Sequence, residues 1–376
     1  MKIVSVMTGA APGGAEFAAV ELLDALIERG HEAVMLSDSP EIGRDTRVQV
    51  RPLDLGPKLS GSTWPSVVLR SPGLRRRLRS ALEAEAPYDV LLLHYKKEQL
   101  LAPGLPAQLR PRIAWCEWGP VPRQMRRGPG RWAYARAGRG VGAVMAISEG
   151  TRESAIAAGV DAAKVTVLPN AMRTEEIRFS AEGRARVRAE LGIPEDAFTV
   201  GCVSRFHPKK RNDVLIDAVA KLGGEAHLIL AGAGETEAAL REQAGGLLGE
   251  RAHILSTPGA EIGDVLSAFD VSVFCPSPAE GQPRAVILGM LAGRPCVSTG
   301  AEGVVGLIED SYGAIVSPEN DPEAVAAVLH GYEDDPERVR REGELAARRA
   351  VERFDRGVVA ERAERLMLGR TGEPVR

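Results

Sequence analysis

The chain alternates short apolar runs with longer amphipathic stretches from end to end. Runs rich in Val, Ile and Leu fall at Lys2–Met7, Glu32–Leu36, Asp89–His94, Arg112–Cys116, Gly142–Ile147 and Val165–Leu168. Between them lie helical patterns such as Gly14–Arg29, whose apolar Phe17, Val20, Leu23, Leu26 and Ile27 recur at helical spacing. Continuous apolar strands separated by helices predict a parallel sheet covered on both faces. After the charged segment Arg173–Asp196 the pattern restarts. Strands are predicted at Phe198–Val203, His227–Ala231, His253–Leu255, Val271–Cys275, Pro295–Ser298 and Ala314–Val316. Helices are predicted at about Asn212–Leu222, Glu235–Leu248, Ile262–Phe269, Arg284–Ala292 and Pro322–Tyr332, with a helical, Arg/Glu-rich end over Pro336–Gly369. The expectation is an α/β protein of two doubly wound halves, with Arg173–Asp196 as the passage between them and a candidate hinge. Ligands of such sheets sit at the carboxyl ends of strands, and two facing halves make a cleft.

Length agrees: 376 residues suit two domains. A content of 44% hydrophobic and 26% charged residues excludes a disordered chain. No apolar run approaches the ~20 residues that cross a bilayer, and the run opening the chain stops at Thr8, too short for a signal-peptide core. Cys116, Cys202, Cys275 and Cys296 lie in or beside apolar runs without a C-x-x-C pair. Buried thiols in a reduced cytoplasm are expected rather than two disulfides. The six histidines are scattered without zinc spacing, so no metal ligands are assigned.

The net charge of −3 conceals an asymmetry. Between Arg70 and Arg139 there are 15 Lys and Arg against 5 Asp and Glu. The run Arg75-Arg76-Arg77 reads either as a solvated helix face or as attraction to an anionic partner, a phosphorylated acceptor or a membrane surface. Nucleic acid is not expected, because no aromatic residues interleave with these arginines for base stacking.

Three loops carry candidate chemistry. Gly13-Gly14 follows the first strand and opens a helix, where backbone N–H groups favour an anion; glycine there also serves ordinary turns. Neither Gly9–Gly14 nor Gly232–Glu237 has the G-x-G-x-x-G spacing of a dinucleotide site, which argues against a nicotinamide dehydrogenase. Ser204-Arg205-Phe206-His207-Pro208-Lys209-Lys210-Arg211-Asn212 leaves a buried strand with four basic residues, a plausible diphosphate cradle. Cys275–Arg284 leaves another strand, and its Glu280 suits sugar hydroxyls or, alternatively, a helix cap.

These loops, in this order, resemble retaining glycosyltransferases of the GT-B fold, in particular glycosyltransferase family 4. The resemblance also rests on Gly13-Gly14-Ala15-Glu16, Ile147-Ser148-Glu149, Val167-Leu168-Pro169-Asn170, the glycine turn Gly232–Gly234 and the stretch Gly289–Val297. It implies two Rossmann-like domains, 1–172 on the acceptor side and 173–355 binding nucleotide sugar, facing across a cleft. The closing segment, 356–376, would cross back as a helix onto the first. Arg205 and Lys210 would bind the donor diphosphate and neutralise the leaving group, and Glu280 would contact the transferred sugar. Gly13, Gly14, Ser204, Gly232, Gly234, Ser256, Gly281, Gln282, Pro283, Arg284 and Leu288 would complete the donor site. His94, Glu117, Trp118 and Arg123 are the acceptor-side candidates, His94 having a strand-end structural role as its alternative.

The chain departs from the family pattern in three respects. Leu288 stands where a second glutamate normally holds the ribose. Cys116-Glu117-Trp118-Gly119 stands where a histidine is common, so Glu117 is expected to take over a polar role toward acceptor or sugar. Ser204, Ala171 and Arg211 replace small glycines, and Arg211 adds charge near the diphosphate.

The implied activity is transfer of a sugar from a nucleoside-diphosphate sugar, UDP or GDP, to a hydroxyl of a small-molecule, glycan or lipid-linked acceptor. No cofactor or metal is implied, and the sequence has no D-x-D string. A nucleotide-sugar epimerase of the same fold, or a non-catalytic binding subunit, are the alternatives. The segment Arg123–Arg139, with Trp132 and Tyr134, would line an acceptor site or touch the inner face of a membrane. High Arg and Ala usage along the whole chain suggests a GC-rich bacterial source.

Overall fold

The computed structural model describes residues 1–9, 13–44, 46–60, 63–110, 112–256, 262–277, 280–318 and 320–369. Ala10–Pro12 of the first glycine turn and Pro278–Ala279 of the loop before Glu280 therefore lie outside the described residues. The chain folds as two compact units, Met1–Met172 joined by the helix Arg356–Leu368, and Arg173–Asp355.

The first unit holds β1 (Lys2–Met7), β2 (Glu32–Ser37), β3 (Gln49–Pro52), β4 (Val90–Leu93), β5 (Ile113–Glu117), β6 (Ala143–Ala146) and β7 (Val165–Val167). Their order is β3-β2-β1-β4-β5-β6-β7, every neighbour parallel. The pleat sends Val4, Val6, Leu91, Leu93 and Trp115 to a core shared with Leu74, Leu78 and Leu82 of helix Trp64–Glu85. Ile3, Met7, Met35, Leu92 and Ala114 point the other way. They meet Leu23 and Leu26 of helix Gly14–Glu28 and Val359, Ala363 and Met367 of the last helix. Each fully buried aliphatic side chain stabilises by roughly 1.5–3 kcal/mol. Burial on both faces is why these strands read as unbroken apolar runs.

The second unit repeats the plan with β8 (Thr199–Val203), β9 (His227–Ala231), β10 (Ala252–Leu255), β11 (Val271–Phe274), β12 (Cys296–Thr299) and β13 (Gly313–Val316). Their parallel order is β10-β9-β8-β11-β12-β13. Strand order reverses between β1 and β4 in one sheet and between β8 and β11 in the other. The carboxyl ends at those reversals are where doubly wound sheets bind ligands.

Two expectations are corrected. Edge strand β3 has no counterpart in the apolar pattern, because Gln49, Arg51 and Pro52 are exposed. Arg173–Asp196 is not merely a link: it contains helix Ala181–Leu191, folded into the second unit. Its charge misleads because Arg184 and Arg188 turn inward. They grip Asp270 at 2.6 and 2.9 Å and donate to the carbonyls of Ala268, Phe269, Pro194, Glu195 and Ala197.

All four cysteines are buried and unbridged. Arg75, Arg76 and Arg77 of helix Trp64–Glu85 are exposed. Among the described residues no helix is long and apolar enough to cross a membrane.

Candidate active site

At the β8/β11 reversal two loops meet. The chain leaves β8 through Ser204–His207, makes a short turn over Pro208–Lys210 and enters helix Asn212–Leu222. Arg211 bridges turn and helix in the left-handed region, at φ 48°. The loop after β11 is stitched to this turn where Ser277 N–H donates to the Lys209 carbonyl at 2.9 Å. Lys210 Nζ donates to Glu280 Oε2 at 2.9 Å and lies 5.2 Å from the centre of the Phe274 ring. Both side chains keep about a fifth of their surface exposed, 21% and 19%. The pair is thus partly desolvated yet within reach of a ligand.

The basic cluster divides into separate roles. Arg205 is exposed, and its guanidinium has no partner among the described residues. Arg211 is paired with Asp213 at 3.1 Å, so its charge serves the start of the helix instead of standing free. His207 Nδ1 accepts the Lys209 N–H at 3.1 Å. Ser204 Oγ lies 3.3 Å from the Asn212 amide group, tying both ends of the loop.

Gly232 and Gly234 follow β9 and bring its loop against this one. A Cβ on Gly232 would stand 1.9 Å from the Ser204 carbonyl oxygen, and one on Gly234 2.2 Å from that of Phe206. Their glycine is required by backbone packing beneath the Arg205 loop. Gly303, after β12, does the same under the other loop, where a Cβ would overlap the Gly281 carbonyl oxygen at 1.1 Å. Glu280 is no helix cap: helix Arg284–Leu291 begins from Pro283, without a side-chain cap. Pro283 is buried, and Gly281, Gln282, Arg284 and Leu288 are half-buried. Ser256, exposed at the end of β10, is held by Glu237 and Arg241 at 2.5 and 2.7 Å.

In the first unit the corresponding edge is occupied by the protein's own groups. Gly13 N–H donates to Glu16 at 3.1 Å, and Glu16 also takes Lys58 at 3.2 Å and the Tyr95 hydroxyl. The helix N-terminus at Gly14 therefore already has a buried carboxylate. Glu98, fully buried, accepts from Thr8 N–H and Oγ1 at 3.0 and 2.7 Å, and burial pushes its carboxyl up to about 6.

His94 has both ring nitrogens engaged. Its Nδ1 accepts from the Trp118 indole at 3.0 Å, which leaves Nε2–H to donate to Ser5 Oγ at 2.7 Å. Burial pushes the imidazole down to about 3. Glu117 is likewise saturated, accepting from Gln99 at 2.9 Å, the Tyr134 hydroxyl at 2.6 Å and Lys96. These two side chains hold the carboxyl edge of β4 and β5 together, whereas Trp118 is half-buried and Arg123 exposed.

Sequence reasoning missed Phe274, Ser277 and Gly303 around the pair, and Ser5, Lys96, Gln99 and Glu98 in the first unit. Four successive polar residues, Lys96–Gln99, directly after an apolar strand were the available signal for the latter.

Residues 197–334 match the family described as glycosyl transferases group 1, and residues 13–171 match the glycosyl transferase 4-like domain. The chain belongs to the group 1 glycosyl transferases, of family 4 type. A D-inositol 3-phosphate glycosyltransferase of Streptomyces avermitilis is 30% identical over 201 residues, covering 50% of this chain and 43% of that protein. A GDP-mannose-dependent alpha-(1-6)-phosphatidylinositol dimannoside mannosyltransferase of Mycobacterium tuberculosis is 33% identical over 173 residues, covering 45% and 43%. The chain thus spans under half the length of these two relatives. Anabaena HepE in complex with UDP superposes with a TM-score of 0.81 at 21% identity, covering 98% of this chain and 100% of that one. The GT-B fold is therefore shared.

Proposed function

We propose that the chain is a retaining glycosyltransferase that moves a sugar from a UDP- or GDP-sugar to a hydroxyl of a small-molecule, glycan or lipid-linked acceptor. The observation that carries this reading is the Lys210–Glu280 pair at the β8/β11 reversal, with Arg205 on the same loop and without a partner among the described residues. Breaking the sugar–diphosphate bond places charge on the departing phosphate, and preorganised cations act most where charge develops. Arg205 grips phosphate oxygens with its planar fork, and Lys210 exchanges Glu280 for the diphosphate. Glu280 is then free to accept hydrogen bonds from the sugar.

In a retaining transfer of this kind the acceptor hydroxyl attacks from the leaving-group face, and the departing phosphate takes its proton. No protein base is required, which suits a first unit in which His94 and Glu117 are fully engaged. The donor is a substrate, and no further cofactor is invoked.

The test is mass spectrometry of the full chain incubated with UDP- and GDP-sugars and an acceptor panel, with the anomeric configuration read by NMR. Glycosylated acceptor of retained configuration is expected. Donor isomerised without acceptor, or donor bound without turnover, would contradict the reading.

A further inference from the structure

Beneath the first half of helix Trp64–Glu85 lies a cavity of about 450 Å³, within the range of small-molecule sites. Its floor is core, Leu55 and Leu74, and its wall is Val67. Its rim is Leu69, 83% exposed, with Arg70 and Arg77. The two arginines are seven residues apart, two turns or about 10 Å along one face. Neither guanidinium has a partner among the described residues. Asp54 also lines the cavity, but its carboxylate accepts Gly56 N–H at 2.6 Å within its own loop.

The cavity stands on the ligand-binding edge of the sheet. The loop that forms its floor follows β3 and docks two residues past the end of β1, with Lys58 N–H donating to the Gly9 carbonyl at 3.1 Å. The helix above is weakly seated here. Its buried leucines are Leu74, Leu78 and Leu82, all after Pro72, while Val68 and Leu69 are exposed. Pro72 removes one helical hydrogen bond between the halves.

An apolar floor with an exposed leucine at its lip and two unpaired cations beside it fits one ligand chemistry. We propose that this cavity binds an anionic amphiphile, its apolar part under the helix and its phosphate or carboxylate on Arg70 and Arg77. Resting on the transferase reading, this ligand is the glycosyl acceptor.

Gly73 supplies the test. It lines the cavity, and a Cβ there meets nothing within 4 Å, so Gly73→Leu fills the space without a clash. Calorimetry without any nucleotide sugar measures binding of dodecyl phosphate below its micellar concentration. Controls are inorganic phosphate, dodecyl maltoside and vesicles of phosphatidylglycerol. One-to-one binding of dodecyl phosphate is expected, at least about tenfold tighter than either soluble control. Gly73→Leu and the double variant Arg70→Ala/Arg77→Ala should each weaken it by about tenfold or more. Leu69→Gln, at an exposed rim, gives the same readout if Gly73→Leu melts at a lower temperature than the parent. Equal binding by parent, Gly73→Leu and Leu69→Gln would overturn the proposal. So would inorganic phosphate binding as tightly as dodecyl phosphate, or vesicles capturing parent and Gly73→Leu alike while soluble dodecyl phosphate does not bind. Because no donor is present, a chain that binds dodecyl phosphate but transfers no sugar separates this proposal from the transferase reading.

Discussion

Lys210 and Glu280 hold each other at 2.9 Å across the β8/β11 reversal, so two groups proposed to serve opposite ends of the donor neutralise one another. In the proposed transfer, donor binding replaces this contact: diphosphate takes the ammonium and sugar takes the carboxylate. Lys210→Ala is expected to lower turnover by ~10²–10³. Lys210→Arg keeps the charge but not the compact ammonium, and should recover part of it. Steady-state kinetics check both, and near-parental turnover of Lys210→Ala would remove Lys210 from the chemistry.

Gly303→Ala should damage the same site without touching a charge. The added methyl would overlap the Gly281 carbonyl and push aside the backbone that carries Glu280. A loss of about 1–3 kcal/mol in stability is expected from such overpacking. Activity should fall further than the stability loss explains. Thermal unfolding and kcat/KM measured on one preparation check this.

Two buried groups, His94 and Glu98, act on stability below neutral pH with opposite sign. The unfolded chain protonates His94 near 6.5, whereas burial holds it neutral in the fold down to about 3. The stability carried by neutral His94 is complete above about 6.5 and is lost as pH falls from there toward 3. Glu98 is pushed up to about 6 from 4.5, so the fold keeps a proton that the unfolded chain releases. Its buried charge costs stability above about 6, and that cost is relieved as pH falls toward 4.5. Between pH 7 and 5, His94→Gln should flatten the fall in melting temperature and Glu98→Gln should steepen it. Identical slopes in all three proteins would contradict both assignments.

Asp270 anchors the second unit on its other side. It pairs with Arg184 and Arg188 and accepts Thr199 N–H at 2.8 Å. Asp270→Ala leaves two inward-turned guanidiniums without their carboxylate and should cost about 3–5 kcal/mol. Denaturant unfolding measures it, and a change under about 1 kcal/mol would show the carbonyls alone suffice.

What the sequence showed and hid follows from burial. Twelve of the thirteen strands were legible because both faces of each sheet are covered, which writes them as apolar runs. Edge strand β3 lacks that signature. Helix Ala181–Leu191 reads as a passage because its arginines look solvated in sequence, though Arg188 is buried against backbone carbonyls. Lys210 and Glu280 each stood out beside a strand end, but their contact joins residues 70 apart and has no local pattern. The resemblance implies a nucleotide contact for Gly232 and Gly234. The need visible in the fold is the carbonyls of Ser204 and Phe206, which only tertiary packing reveals.

The most direct test of the central claim is a crystal structure of the full chain with an intact UDP- or GDP-sugar. Lys210 Nζ is expected to leave Glu280 and lie within about 3.2 Å of a diphosphate oxygen, with Arg205 on the same group and Glu280 on a sugar hydroxyl. A bound donor with the Lys210–Glu280 contact intact and Arg205 turned to solvent would contradict the account.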